Sequence, residues 1–340
     1  MGLRSRLWRG GRLVEEDFPL DELDRHLAEQ DSLVWLDLCL ADGSHSPLLA
    51  RLADELGLDP HAVEDAVAPG ERPKTTRHGS HTFVSVYATS LSARGGAAGH
   101  ASRLHTSRVS AFVLPRGLVT VRREEGPEDE GFDLDAVVRR WEEDPELLGA
   151  GVGALVHGLL DTVVDGHFET IQQLDDAIED LEYVLFAESP HAAQVQRASY
   201  RMRKELVELR RVVLPMREVV SSLMRQPDVR GPRDEVLTGY FEDLYDHVLR
   251  AGEWTESMRD MVTTVFETNL SLQDARLNTV MKKLAGWAAV IAVPTAVTGW
   301  YGQNVPYPGF SSPFGLYQSA VLILVATVGL YVFLKHKDWI

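Results

Sequence analysis

The chain has 340 residues, a net charge of −17 and a single cysteine, Cys39. The length exceeds one ordinary domain, the acidic balance excludes nucleic acid as a partner, and one cysteine excludes internal disulfides and cysteine-based zinc sites. After Lys283 the only charges are Lys335, Lys337 and Asp338, so residues 1–283 carry −18; such a body is repelled by an anionic leaflet and concentrates cations.

Residues 1–150 read as an α/β domain. The first residues, Met1-Gly-Leu-Arg-Ser-Arg6, are basic but no apolar run follows, so no signal peptide is expected. Short alternating or β-branched runs bounded by turn residues predict strands over 33–40, 82–87, 109–114 and 118–122. Helices are predicted over 47–56 and 60–66, the second with Asp59 as N-cap and Pro60 at its first position. Residues 92–102 are rich in Gly, Ala and Ser and predict a mobile hairpin loop. The 12 histidines form no compact metal pattern; His78, His81, His100 and His105 are expected to be scattered surface residues. No nucleophile motif and no phosphate-cradling loop is present, so no enzyme is expected.

The remainder is helical. Residues 151–232 predict a long-helix hairpin, with one segment stopped by Ser189-Pro190 and a second kinked at Pro215. A stalk helix follows over 233–283. No proline interrupts the chain between Pro232 and Pro294, and apolar residues recur at three and four: Leu237, Phe241, Leu244, Val248, then Met258, Met261 and Val265. A continuous helix of that length is roughly 90 Å long. Its stripe cannot be buried by one small domain, and copies of the chain are the simplest source of neighbours.

Residues 284–334 form an uncharged run of 51 residues, where one membrane span needs about 20. Prolines and glycines break it near the middle. It therefore reads as a span over 284–303, an external loop over 304–315, a span over 316–334 and a basic tail over 335–340. Lys282 and Lys283 flank the first span; Lys335 and Lys337 flank the second. Both basic ends are expected in the cytoplasm. The expected fold is an α+β membrane protein: an N-terminal α/β cytoplasmic domain, a long helical stalk and two C-terminal transmembrane helices in a plasma (inner) membrane.

Several motifs, in order and at matching spacing, resemble the CorA family of magnesium and cobalt transporters. Tyr301-Gly-Gln-Asn304 is similar to the family's Tyr-Gly-Met-Asn, with Gln303 in place of Met. Tyr240-Phe-Glu-Asp-Leu-Tyr-Asp-His247 and Asn278-Thr-Val-Met-Lys282 resemble two further signatures, which bring in Tyr240, Asp246 and His247. Lys335-His-Lys-Asp-Trp339 resembles the basic-aromatic tail. His61-Ala-Val-Glu-Asp65 and Arg72-Pro-Lys74 resemble two N-terminal motifs, one of them lacking a proline. The resemblance covers about residues 33–340. It implies a homopentameric funnel, with the long helix of each chain lining a pore and the second span forming an outer ring. It also implies acidic paired helices, here bearing Asp175, Asp176, Glu179, Asp180 and Glu182.

On this resemblance Gly302, Gln303 and Asn304 form a selectivity filter. Mg²⁺ gives up water reluctantly, so a ring of amide oxygens suits the hydrated ion better than carboxylates that would hold it too tightly. Gly302 allows close backbone approach. Gly299, Thr295 and Ala292 continue the pore, and Asn278, Met281 and Leu284 form its narrow cytoplasmic end. A plainer reading has Asn304 cap the helix exit. Asp243 falls on the family's regulatory-metal carboxylate, with Glu267 a weaker second. The partner carboxylate is missing, because residues 88–121 contain no Asp or Glu.

The expected function is potential-driven uptake of a divalent cation: Mg²⁺, with Co²⁺ and Ni²⁺ as further cargo. No cofactor is expected; Mg²⁺ is cargo and regulator. The expected partners are further copies of the chain, the bilayer and divalent metal ions. A proton-coupled zinc transporter of the same superfamily is the first alternative. A non-conducting, membrane-anchored structural oligomer is the second.

Overall fold

The computed structural model describes residues 2–40, 46–94, 101–123, 132–187, 192–226, 229, 234–303, 305–310 and 312–340. The chain divides into two compact units, Met1–Val265 and Phe266–Ile340.

The first unit is built on a seven-stranded sheet. Its strands are β1 Gly2–Arg9, β2 Arg12–Glu16, β3 Ser32–Leu40, β4 Lys74–Arg77, β5 Thr82–Arg94, β6 Ala101–Leu114 and β7 Gly117–Arg123, in the order β2-β1-β3-β7-β6-β5-β4. Among the described residues, only β3 and β7 pair in parallel. The sequence reading found β3, β5, β6 and β7 but not β1, β2 or β4. The missed signal in β1 and β2 is Gly10-Gly11, where both residues have positive φ (54° and 77°), the conformation of a two-residue hairpin turn. The predicted loop over 92–102 is also corrected: β5 runs on to Arg94 and β6 begins at Ala101, paired Arg94↔Ala101. Residues 95–100, with His100, lie outside the described residues.

Strand alternation sends side chains to two cores. One face of the sheet carries Trp8, Leu33, Trp35, Val86, Val109 and Leu118. The other carries Leu7, Val34, Leu36, Leu38, Phe83, Phe112 and Val119. The second face is covered by α1 (Leu23–Ala28), α2 (Pro47–Leu56) and α3 (Pro60–Val67). As expected, Asp59 caps α3, accepting from the amides of His61 and Ala62. Both faces being covered makes β3 buried along nearly its whole length, which admits one charge only as a pair. Asp37 is 1% exposed and is held by Arg122 Nη2 at 2.7 Å and Thr120 Oγ1 at 2.7 Å, both on the adjacent β7. His81, expected at the surface, is also buried. Its ring stacks on His78 with centroids 5.2 Å apart and tilts against Phe112.

The first face is covered by α4 (Leu134–Glu143), α5 (Pro145–Leu148), α6 (Val152–Leu185), α8 (Met216–Leu223) and the start of α9 (Asp234–Tyr301). The helix α7 (Ala192–Val213) returns beside α6. Pro215 produces a break rather than a kink, with α7 ending at Val213 and α8 starting at Met216. Within the first unit, the buried residues of α9 run Leu237, Phe241, Leu244, Val248, Ala251, Thr255, Met258, Val262, Val265. This alternation of four and three is the seam of a coiled-coil-like helix. It corrects one position of the predicted stripe: Val262, not Met261, points inward. The same period appears in α6 (Ile171, Leu174, Ile178, Leu181, Leu185) and in α7 (Val195, Ser199, Met202, Leu206, Leu209, Val213).

In the second unit, α9 continues to Tyr301 and α10 spans Pro313–His336. Both are long and apolar enough to cross a membrane. The exposed apolar side chains there, among them Ile291, Leu316, Leu324 and Val325, are what a lipid-facing surface requires.

Candidate functional site

Asn278, Met281, Leu284, Ala292, Thr295 and Gly299 lie on one face of α9, about 120° wide at 100° per residue. All six are exposed on the chain. The face carries no charge, and its hydroxyls stay within the helix: Thr295 Oγ1 donates to the Ile291 carbonyl at 3.1 Å, and neighbouring Thr298 Oγ1 donates to the Pro294 carbonyl at 2.9 Å. Pro294 sits inside the helix, which runs on to Tyr301.

The upper end of this face closes in a defined turn. Gly302 N–H donates to the Thr298 carbonyl at 2.8 Å and Gln303 N–H to the Trp300 carbonyl at 3.3 Å. A Cβ on Gly302 would stand 3.0 Å from the Thr298 oxygen, so glycine leaves room for the backbone to leave the helix tightly. Tyr301 meets Tyr307 edge-on at 4.9 Å, and Tyr307 meets Phe310 at 5.3 Å, so an aromatic chain ties the connection to the helix end. Gly309, with φ 93°, and Gly315 approach so closely that a Cβ on Gly315 would lie 2.6 Å from the Gly309 oxygen. Gly302 and Gln303 are exposed. Asn304 lies outside the described residues.

The motif 240–247 lies on α9 in the first unit. Phe241 and Leu244 point into the core, while Tyr240, Asp243 and His247 share a flank. Tyr240 Oη donates to Asp144 Oδ2 at 3.1 Å, and this bond to an acceptor raises the phenol's pKa. His247 Nε2 stands 3.8 Å from Asp243 Oδ2, and the Asp243 side chain is 71% exposed. Asp246 points to solvent on another side of the helix.

Beside Asp243 is a cavity of about 270 Å³ lined by Asp144, His157, Asp161 and Tyr240. The sequence reading missed His157, Asp161 and Arg140 there. Their one signal was a charge at Asp161, one turn after His157, on the most apolar stretch of α6. His157 lies edge-on to both Tyr240 and Phe241. Burial lowers the His157 pKa, against the pull of Asp161. The same burial pushes Asp161 up, against His157 and Arg140. Arg140 bridges Asp161 at 3.1 Å and Asp165 at 2.7 Å.

Glu267 is exposed on α9. Among the described residues, no three His, Cys, Asp or Glu side chains converge as a metal-binding group.

An α/β body, a long helix that runs on into membrane length, and a second apolar helix define a membrane protein whose uncharged helix face ends in a Gly-containing turn. The chain belongs to the CorA-like Mg²⁺ transporter protein family, whose family model matches residues 30–336. It is 27% identical over 334 residues to the cobalt/magnesium transport protein CorA of Thermotoga maritima, covering 96% of this chain and 90% of that one. It is 28% identical over 331 residues to the zinc transport protein ZntB of Yersinia enterocolitica, covering 92% and 90%. Its fold is similar to the complete structure of the CorA magnesium transporter from Methanocaldococcus jannaschii, with a TM-score of 0.71 and 20% identity over 99% of this chain and 98% of that one.

Proposed function

We propose that the chain is the subunit of a homopentameric, channel-type transporter through which Mg²⁺, with Co²⁺ and Ni²⁺ as further cargo, passes down the membrane potential. The observation that carries this is the uncharged, exposed face of α9 from Asn278 to Gly299, ending at Gly302. Five copies of this face around an axis make a pore whose walls offer carbonyl and amide oxygens at the mouth and small or apolar side chains below. Such a wall holds a hydrated divalent ion weakly enough to release it. A potential of 100 mV supplies about 4.6 kcal/mol to a divalent ion, so no further energy source is required.

In this reading Gly302, Gln303 and Asn304 select the ion and Asp243 contributes to an inter-chain regulatory site. Both termini face the cytoplasm, as the lysines flanking each span favour. The test is influx into vesicles loaded with a Mg²⁺ dye, with and without an imposed potential. Influx that rises with an inside-negative potential is expected; its absence at every potential overturns the proposal and favours a structural oligomer. Mass measurement of the detergent-solubilised complex tests the pentamer. The similarity to zinc transport proteins supports a second reading, proton-coupled zinc transport. Zinc influx that depends on a pH gradient and not on potential would favour it.

A further inference from the structure

The last residues fold back onto the membrane hairpin. α10 ends in a left-handed turn at Asp338, with φ 56°. Asp338 N–H donates to the Lys335 carbonyl at 3.3 Å and Trp339 N–H to the Leu334 carbonyl at 3.0 Å. This pair of bonds ends many helices, but its left-handed position usually holds glycine. Asp is one of the few L-residues that adopt this conformation as single positions, so the chain can reverse here and a contact beyond the turn can hold it.

The reversal delivers Trp339 and Ile340 onto α9 at Gly286. From the position a Cβ on Gly286 would take, Ile340 Cγ1 is 2.9 Å away, Ile340 Cδ1 3.3 Å and the Trp339 oxygen 3.3 Å. Glycine at 286 therefore leaves the space that Ile340 fills. Gly286, Val290 and Leu334 are buried, while most of the unit's side chains are exposed. Trp287 lies 6.2 Å from the Tyr331 ring, and Lys335 Nζ stands 5.9 Å over the same ring, so the two helices meet at this level.

Gly286 and Val290 lie roughly 120–180° round α9 from Met281, Ala292 and Gly299. The contact is thus on the back of the proposed pore-lining helix. If Asn278, Met281 and Leu284 form the narrow end, widening it moves α9 toward its own back. That movement runs into Ile340 and α10. We propose that Trp339–Ile340 is a strap that backs α9 at Gly286 and restrains opening of the cytoplasmic end. This rests on the reading of α9 as pore-lining.

The experiment uses the full chain in a Cys39→Ser background, which leaves no native thiol. With Gly286→Cys and Ile340→Cys added, oxidation is expected to form a disulfide, read by thiol labelling. Mg²⁺ influx into dye-loaded vesicles is expected to fall several-fold and to return on reduction. Ile340→Ser is expected to assemble normally and to pass several-fold more Mg²⁺ at inhibitory internal Mg²⁺. A disulfide that forms while influx is unchanged, together with a wild-type inhibition curve for Ile340→Ser, overturns the strap. So does failure to form the disulfide while Gly286→Leu assembles and conducts as wild type, since the contact itself would then be absent. If the disulfide forms but the Cys39→Ser protein passes no ion under any condition, the pore reading falls, and the strap's gating role with it.

Discussion

Asn304 follows directly on the exposed Gly302-Gln303 turn, and its amide is the side chain that the proposal relies on most to meet the hydrated ion. Asn304→Ala is expected to reduce Mg²⁺ uptake to background while the oligomer still assembles; wild-type uptake by an assembled variant removes it from selection. Gln303→Met is the contrast and is expected to retain uptake. A second residue tests the body rather than the pore. His167 is 1% exposed and its Nε2 meets the Tyr87 carbonyl at 2.7 Å. Burial lowers its pKa from 6.5 to about 4, the carbonyl bond opposing only in part. The folded state thus keeps this ring neutral where the unfolded chain would charge it. Its contribution is complete above pH 6.5 and is lost as the pH falls from 6.5 toward 4. That loss is of order 3 kcal/mol. His167→Gln, which retains a donor, is expected to flatten the fall in stability between pH 6.5 and 4, measured by denaturant unfolding of the body; an unchanged slope assigns the acid sensitivity elsewhere.

At the scale of elements, α9 shows how one helix serves two environments. Its seam from Leu237 to Val265 follows a strict four-three alternation against the body. From Leu284 onward the same backbone presents apolar residues on nearly all sides, as a helix in lipid must. The connection to α10 depends on backbone proximity rather than on side-chain chemistry. Gly315→Ala places a methyl 2.6 Å from the Gly309 oxygen, a distance that the backbone must move to relieve. The expected outcome is a loss of about 1–3 kcal/mol of local stability and reduced uptake, because the turn that carries Gly302 and Gln303 is displaced. Proteolysis of the connection and uptake in the same sample check it, and wild-type values for both would show that the loop tolerates the shift.

At the scale of the whole molecule, charge becomes the governing quantity. Each body carries −18, and copies brought together repel until cations screen them. Cytosolic divalent ions would then favour a compact assembly even where no single site holds them tightly. Asp243, exposed and beside an acid-lined cavity, is the carboxylate proposed to share such an ion between chains. Asp243→Ala is expected to shift inhibition by internal Mg²⁺ to higher concentration by a few-fold rather than abolish it, since no partner carboxylate is available from residues 88–121. Influx measured against internal Mg²⁺ checks this, and superimposable curves for wild type and variant would remove Asp243 from regulation.

The two apolar C-terminal helices, the long helix and the family were legible in the sequence because each rests on a pattern that is local and redundant. A run of 51 uncharged residues, an unbroken apolar period and several ordered motifs survive an error at any one position. The four central strands were legible for the same reason. What the sequence did not disclose depends on partners distant along the chain. Strand β1 is stabilised by pairing with β3, and β2 by its Gly-Gly turn back onto β1. Asp37 is tolerable in a buried strand only because Arg122 and Thr120 lie beside it on β7. His81 is buried because Phe112 and His78 enclose it. His157 and Asp161 stand beside Asp243 although more than 80 residues separate them along the chain. Gly286 reads as one more small residue in an apolar helix until Ile340 is found against it. Periodicity and composition report what a segment needs from its surroundings. Which distant residue meets that need is decided only when the chain closes on itself.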